Sequence, residues 1–128
     1  MLNGVSKCSQ SILVIDDDDT LLRIMRKIFQ KQGFIVTTAQ SGLEALSKLE
    51  AKSYAAALID VKLPDINGLD LLNKLRTIAP NMIKIILTGY PSDEDRVRAL
   101  DQGADYYLAK PVKPEILVEI IGTKLKRL

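Results

Sequence analysis

The 128 residues suit one domain of ordinary size, and 47% hydrophobic with 27% charged residues is a composition typical of globular proteins. A net charge of +2 without a prominent Lys/Arg run gives no indication that this chain itself binds nucleic acid. The sequence has no histidine and one cysteine, Cys8. These counts exclude Ser-His-Asp and Cys-His catalysis, most zinc sites and an internal disulfide.

The domain is predicted to span residues 11–128, after a flexible, polar lead-in over residues 1–10. Nothing resembles a signal peptide or a membrane span, so we expect a cytoplasmic protein without membrane contact. The last helix has no clear stop signal, which favours a segment cut from a longer protein.

The first βα unit begins at ILVI (12–15), a continuous apolar run that predicts a buried strand. Apolar residues then recur at helical spacing, and Gly33 is placed to end this helix. Asp18 and Asp19 are expected at its start, where negative charge is favourable. FIVTT (34–38) predicts the second strand.

A capping-box pattern, Ser41 with Glu44, precedes the second helix. AAALI (55–59) predicts a third buried strand that ends at Asp60. The loop VKLPDING then leads to a third amphipathic helix, which stops before Pro80.

IKIIL (83–87) predicts the fourth strand, ending at Thr88, and a more polar helix follows it. DYYLA (105–109) predicts the fifth strand, ending at Lys110, and Pro114 suits the first turn of a last helix. Five βα units imply a three-layer α/β fold, in which helices cover both faces of a parallel sheet.

Polar residues stand at four of the predicted strand ends: Asp16 and Asp17, Asp60, Thr88 and Lys110. In a parallel sheet these ends share one edge, where open α/β folds bind ligands. Three carboxylates at one place need a cation, and oxygen ligands suit Mg²⁺. A carboxylate can also attack phosphorus, with the metal, a lysine ammonium and a threonine hydroxyl balancing the charge of the phosphoryl oxygens.

The segments VIDDD, LIDVKLPDINGLDLL, ILTGY and GADYYLAKP, with the last amphipathic helix, together resemble the receiver domain of bacterial two-component response regulators. The resemblance spans about residues 11 to 126. It implies a flavodoxin-like, doubly wound (βα)5 fold with strand order 2-1-3-4-5. It also implies that a histidine kinase or a histidine phosphotransfer protein donates a phosphoryl group, after which the domain regulates an output domain or partner protein. The activity would be that of a phosphoacceptor with modest autophosphorylation and autodephosphorylation, and not that of a metabolic enzyme.

The same resemblance implies roles for individual acidic residues. Asp60 would be the phosphoacceptor, and Mg²⁺ would be bound by Asp17, by Asp60 and by the backbone carbonyl of Lys62. Asp16 would reach the metal through water.

Other residues would bind the phosphoryl group or respond to it. Lys110 would pair with that group, and its bond to Pro111 would be cis. Thr88 and Tyr107 would be the switch pair: Thr88 moves toward the phosphoryl oxygen, Tyr107 turns inward, and the face formed by the fourth helix, fifth strand and fifth helix is reshaped. Whether the domain also forms a homodimer through that face is left open.

Departures from the family pattern are few. Asn67 stands where the family often has Asp, and Val112 where it often has Phe, and neither is expected to take part in the chemistry. Lys62 and Tyr90 occupy positions that vary in the family, and their side chains could screen the phosphoryl group from water. We therefore expect slow dephosphorylation.

Two alternatives remain open at this point. Asp16-x-Asp18-x-Thr20 resembles the first motif of haloacid-dehalogenase-type phosphatases, in which Asp16 would be the nucleophile. That interpretation lacks a suitable acidic motif after the lysine and leaves the Asp60 loop unexplained. A receiver fold kept only as a docking module is the second alternative, although all the residues needed for phosphorylation are present.

Overall fold

The computed structural model describes residues 10–126, so Cys8 and nearly all of the predicted lead-in lie outside the described residues. Five strands and five helices alternate along this part of the chain. They are β1 (Ser11–Ile15), α1 (Asp19–Lys31), β2 (Ile35–Ala39), α2 (Gly42–Ala51), β3 (Ala56–Asp60), α3 (Gly68–Ile78), β4 (Ile83–Thr88), α4 (Asp93–Asp101), β5 (Tyr106–Ala109) and α5 (Pro114–Lys126).

The strands form one parallel sheet in the order β2-β1-β3-β4-β5, which confirms the expected topology. Each strand begins and ends within one residue of the bounds expected from its apolar run. The sheet register places Asp60 opposite Leu87 and Thr88 opposite Ala109. The carboxyl ends of β1, β3, β4 and β5 therefore meet along one edge.

Two hydrophobic cores lie on opposite faces of the sheet, because successive strand residues point to opposite sides. One core joins alternate residues of β1, β3 and β4 to α2, α3 and α4, and includes Leu13, Ile59 and Leu72. The other joins the remaining strand residues to α1 and α5, and includes Phe29 and Leu117. The three-layer architecture is thus confirmed.

Local capping fixes where the helices begin and end. The Asp18 carboxylate accepts hydrogen bonds from the N–H groups of Thr20 and Leu21, as expected for the start of α1. Gly33 adopts a φ of +93°, the left-handed conformation that glycine tolerates best, directly after α1. Ser41 caps α2 by accepting from the Glu44 N–H. The Glu44 side chain accepts from the Gln40 N–H, one residue before the partner of an ideal capping box.

Lys84, in β4, is the one basic residue that is buried within residues 10–126, with 3% of its surface exposed. Its Nζ donates to the carbonyls of Ala79, at 2.6 Å, and Met82, at 3.0 Å. Burial lowers the pKa of Lys84, and the nearby Asp105 carboxylate partly opposes that effect. Within residues 10–126, no helix has the length and apolar character needed to cross a membrane.

Candidate functional site

Three carboxylates meet at the carboxyl edge of the sheet. Asp16 follows β1, Asp60 ends β3, and these two strands are hydrogen-bonded neighbours. Oxygen atoms of Asp16, Asp17 and Asp60 lie within 4.8 Å of one another. Asp16 and Asp60 are buried, with 3% and 7% of their surfaces exposed, whereas Asp17 is exposed to solvent. The acidic cluster predicted from the sequence is therefore present, and one member faces the opening.

Lys110 supplies the positive charge of this cluster from the end of β5. Its Nζ lies 2.7 Å from Oδ2 of Asp16 and 3.4 Å from Oδ1 of Asp60. The other oxygen of Asp16 accepts from the Asp18 N–H at 2.9 Å, so both oxygens of Asp16 are hydrogen-bonded. The bond between Lys110 and Pro111 is cis, as the resemblance implied.

The two central groups perturb each other's protonation. Burial and the neighbouring Asp16 charge raise the pKa of Asp60, while Lys110 and the Lys62 N–H partly offset that rise. Burial acts to lower the pKa of Lys110, but its hydrogen bond to Asp16 and the charges of Asp16 and Asp60 raise it overall. Lys110 is thus held in its charged form beside two buried carboxyls.

The loop between β3 and α3 returns tightly to the end of β3. The Gly68 N–H donates to the Val61 carbonyl at 2.7 Å, and an isolated antiparallel bridge pairs Lys62 with Asn67. A Cβ atom at Gly68 would lie 2.1 Å from the Asp60 carbonyl oxygen. Only glycine allows this approach, so Gly68 fixes the backbone of the candidate phosphoacceptor as well as punctuating the loop.

Lys62 and Tyr90 stand at the rim of the site. The cavity around the carboxylates has a volume of about 290 Å³, and both residues line it. The Lys62 Nζ lies 3.9 Å from the centre of the Tyr90 ring, a cation–π contact across the opening. The Tyr90 N–H donates to the hydroxyl of Thr88, which is itself only 1% exposed.

Tyr107 does not line the cavity that contains the carboxylates. It contributes to a second surface depression together with Pro91, Ser92 and Arg96, and its hydroxyl accepts from the Ser92 N–H at 3.1 Å. The two predicted switch residues, Thr88 and Tyr107, therefore both accept a hydrogen bond from the segment between β4 and α4, but at different residues of it.

Asp65 is a site-loop residue that sequence reasoning missed. Its carboxylate accepts from the N–H groups of Gly42, at 2.9 Å, and Leu43, at 2.8 Å, at the start of α2. Its sequence neighbourhood indicates a turn and gives no sign of a partner 22 residues earlier. No motif would have found it, because the contact depends on how the loop packs.

The donor set fits a hard divalent cation. Three carboxylates converge, and carboxylate oxygens are the ligands that Mg²⁺ and Ca²⁺ prefer. Among residues 10–126 the Asp17 side chain makes no hydrogen bond or ion pair, so its oxygens can act as ligands.

Comparison with known proteins identifies the family. A response regulator receiver domain model matches residues 12–122, and the chain belongs to that family. It is 39% identical over 116 residues to the transcriptional regulatory protein CpxR homolog of Haemophilus influenzae, covering 91% of this chain and 50% of that protein. The chain spans about half the length of the curated relatives it matches.

Two solved structures are similar in fold and sequence. A CheY-like receiver domain protein of Methanospirillum hungatei has a TM-score of 0.89 and 42% identity, covering 92% of this chain and 94% of that one. A Burkholderia pseudomallei response regulator has a TM-score of 0.82 and 32% identity, covering 85% and 64%, and contains a phosphorylated aspartic acid, a calcium ion and citrate. The domain is thus a receiver of two-component signal transduction, and family membership decides against the phosphatase interpretation.

Proposed function

We propose that this receiver domain accepts a phosphoryl group on Asp60 in a Mg²⁺-dependent reaction. The observation that carries the proposal is the convergence of three carboxylates with the Lys110 ammonium, which lies within 3.4 Å of Asp60. A carboxylate oxygen of Asp60 attacks phosphorus, the new O–P bond forms, and the P–N bond to the donor's phosphohistidine breaks with its electron pair on the imidazole. Lys110 exchanges part of its contact with the carboxylates for the new phosphoryl oxygens.

The three carboxylates differ in whether their oxygens already accept hydrogen bonds, and this difference guides the proposed metal ligands. Asp17 is exposed and has a carboxylate oxygen within 4.8 Å of one of Asp60, so both can bind the cation directly, and the resemblance to receiver domains adds the backbone carbonyl of Lys62. Asp16 already accepts from Lys110 and from the Asp18 N–H, which favours contact through water. Bound Mg²⁺ would supply positive charge for the phosphoryl oxygens. The calcium ion and phosphorylated aspartate of the Burkholderia relative support this assignment.

Signal output would pass through Thr88 and Tyr107. Both hydroxyls accept from N–H groups of the β4–α4 loop, so a movement of Thr88 toward a phosphoryl group would change that loop and the surface of α4, β5 and α5. A histidine kinase or phosphotransfer protein is the proposed donor, and an output domain or partner protein the proposed receiver of the signal. A homodimer through this face and a cytoplasmic location stay predictions.

The test is intact mass after incubation with Mg²⁺ and acetyl phosphate, for the wild type, Asp60→Asn and Asp16→Asn. We expect one phosphoryl adduct that requires Mg²⁺ and is absent from Asp60→Asn. An adduct that survives Asp60→Asn and disappears in Asp16→Asn would contradict the assignment of the acceptor. No adduct with acetyl phosphate or with a phosphohistidine donor would favour the docking module.

A further inference from the structure

The tip of the β3–α3 loop is attached to a different element, helix α2. The Asp65 carboxylate accepts one hydrogen bond from each of the first two N–H groups of α2, those of Gly42 and Leu43. These N–H groups have no partner within the helix, and an anion at a helix N-terminus is favoured by the helix dipole. Both bonds are charge-assisted, and they hold the pKa of the Asp65 carboxyl below its usual range.

Apolar packing reinforces this Asp65–α2 contact, defined by Asp65, Gly42 and Leu43. A Cβ atom at Gly42 would lie 2.1 Å from Cγ2 of Ile66, so the loop lies directly against the first residue of α2. Ile66 and Leu63 are partly buried against the core that contains α2 and α3. The loop tip is thus held by two hydrogen bonds and by close packing at the same place.

The remainder of the loop joins this contact to the acceptor. Within residues 10–126, the two hydrogen bonds of the Asp65 carboxylate are the only hydrogen bonds that join residues 63–66 to another helix or strand. The base of the loop is closed by the Gly68 N–H on the Val61 carbonyl and by the bridge between Lys62 and Asn67. Lys62, whose carbonyl is the proposed metal ligand, therefore lies between a closed base and an anchored tip.

We propose that Asp65 is a positioning residue of the phosphoacceptor site: by anchoring the β3–α3 loop to α2, it sets the position of the Lys62 backbone beside Asp60. This inference rests on the proposed function. Asp65 itself touches neither the acceptor nor the metal, and it acts through the loop. Loss of the anchor leaves the carboxylates in place but lets the loop backbone move.

Ser41→Ala is the matched control, because the Ser41 side chain also accepts a hydrogen bond at the start of α2, but from the Glu44 N–H and not from the loop. Asp65→Ala removes both loop bonds, and Asp65→Asn keeps one acceptor oxygen and should be intermediate. Asp65 is exposed, so these variants are expected to fold, and thermal unfolding checks that they do.

Two quantities are measured: amide hydrogen exchange of Gly68 without metal, and the Mg²⁺ concentration that gives half-maximal phosphorylation by acetyl phosphate. In Asp65→Ala we expect faster Gly68 exchange and a Mg²⁺ requirement raised by about tenfold, the lower end of the effect seen when residues supporting metal ligands are lost. Saturating Mg²⁺ should restore much of the rate. Ser41→Ala should change neither quantity beyond its effect on overall stability.

Equal shifts in Asp65→Ala and Ser41→Ala, or an unchanged Mg²⁺ requirement in Asp65→Ala, would overturn the positioning role. If the wild type takes no phosphoryl group and binds no Mg²⁺, the proposed function fails. In that case the Gly68 exchange comparison still decides whether Asp65 anchors the loop.

Discussion

At the scale of single residues, Asp60 is a carboxyl group whose surroundings disfavour its charged form. Burial and Asp16 raise its pKa, and Lys110 only partly offsets the rise. Between the unfolded pKa, near 3.8, and the raised folded value, the folded protein binds more protons than the unfolded chain. The contribution of Asp60 to stability therefore falls as the pH rises through this window.

We expect Asp60→Asn to raise the free energy of unfolding at neutral pH without metal, because it removes a carboxyl group that must ionise in buried surroundings beside Asp16. Lys110 keeps its partner Asp16, so no buried charge is left alone. Urea unfolding at a series of pH values measures the effect, which should shrink as the pH approaches the unfolded pKa. Asp17→Asn, at an exposed position, is the control and should change the free energy of unfolding less than Asp60→Asn does. A loss of stability at neutral pH without metal would contradict this account.

The contact between Lys62 and Tyr90 should lengthen the life of the phosphorylated form. The two side chains are in contact and both line the cavity, so we expect them to limit the access of water to Asp60. An exposed cation–π contact contributes about 0.5–1 kcal/mol, so Lys62→Ala and Tyr90→Ala should each speed dephosphorylation by roughly twofold to fivefold.

Decay of the adduct, followed by intact mass, tests this expectation. The double variant should decay little faster than either single one, because the contact is already lost in each. Lys52→Ala removes a similar contact with Tyr54 away from the site and should leave the decay rate unchanged. Unchanged lifetimes in all the site variants would show that the pair does not screen the phosphoryl group.

At the scale of elements, the β3–α3 turn depends on one glycine. In Gly68→Ala the new Cβ would meet the Asp60 carbonyl at 2.1 Å and the Val61 Cα at 2.8 Å, both backbone atoms that cannot move independently. We expect a loss of stability of about 2 kcal/mol or more and a strong reduction of phosphorylation.

Gly122→Ala in α5 provides the comparison, since a Cβ there meets nothing within 4 Å. Alanine favours a helix interior by about 0.5–1 kcal/mol over glycine, so this variant should be more stable and should be phosphorylated normally. Thermal unfolding and adduct yield measure both variants. Normal phosphorylation of Gly68→Ala would contradict the close approach of Gly68 to the Asp60 backbone.

Sequence patterns located the strands and the strand-end residues well, because both depend on local signals. The apolar runs mark buried strands, and parallel order then brings Asp16, Asp60 and Lys110 to one edge. Contacts set by packing could not be predicted in the same way. Lys84 stands in the apolar run IKIIL, and its charge is accommodated by the carbonyls of Ala79 and Met82 and by the nearby Asp105 carboxylate, none of which the run itself indicates.

Local sequence patterns could not predict the geometry inside the site either. The resemblance assigned Lys110 to the phosphoryl group, and without that group its closest partner is Asp16. The Asp65–α2 contact joins residues 22 and 23 positions apart through the shape of a loop. Such pairings depend on the folded backbone and leave no periodic trace in the sequence.

At the scale of the whole molecule, one sheet is shared by two cores. Phe29 is fully buried on the α1–α5 side and Leu72 on the α2–α4 side. Truncation to alanine should cost about 3–5 kcal/mol for Phe29 and 2–5 kcal/mol for Leu72. Because the strands contribute to both cores, we expect both variants to unfold in a single transition.

Far-UV circular dichroism and tyrosine fluorescence during urea unfolding test this expectation, since coincident curves indicate one cooperative unit. The costs of the two substitutions should add in the double variant, because the residues lie on opposite faces of the sheet. Two separated transitions in either variant would mean that the cores unfold independently.

Tyr90 also gives the protein an internal optical probe. The chain has four tyrosines and no tryptophan, so its intrinsic emission comes from tyrosine rings alone. Tyr54 is buried near the opposite edge of the sheet, whereas Tyr90 is 71% exposed and stacked against the Lys62 ammonium at the mouth of the acceptor cavity. Any cation or phosphoryl group that displaces that ammonium changes the polarity around the ring. We therefore expect occupancy of the site to change the intrinsic emission, and Tyr90→Phe should remove the part of that change that comes from this ring.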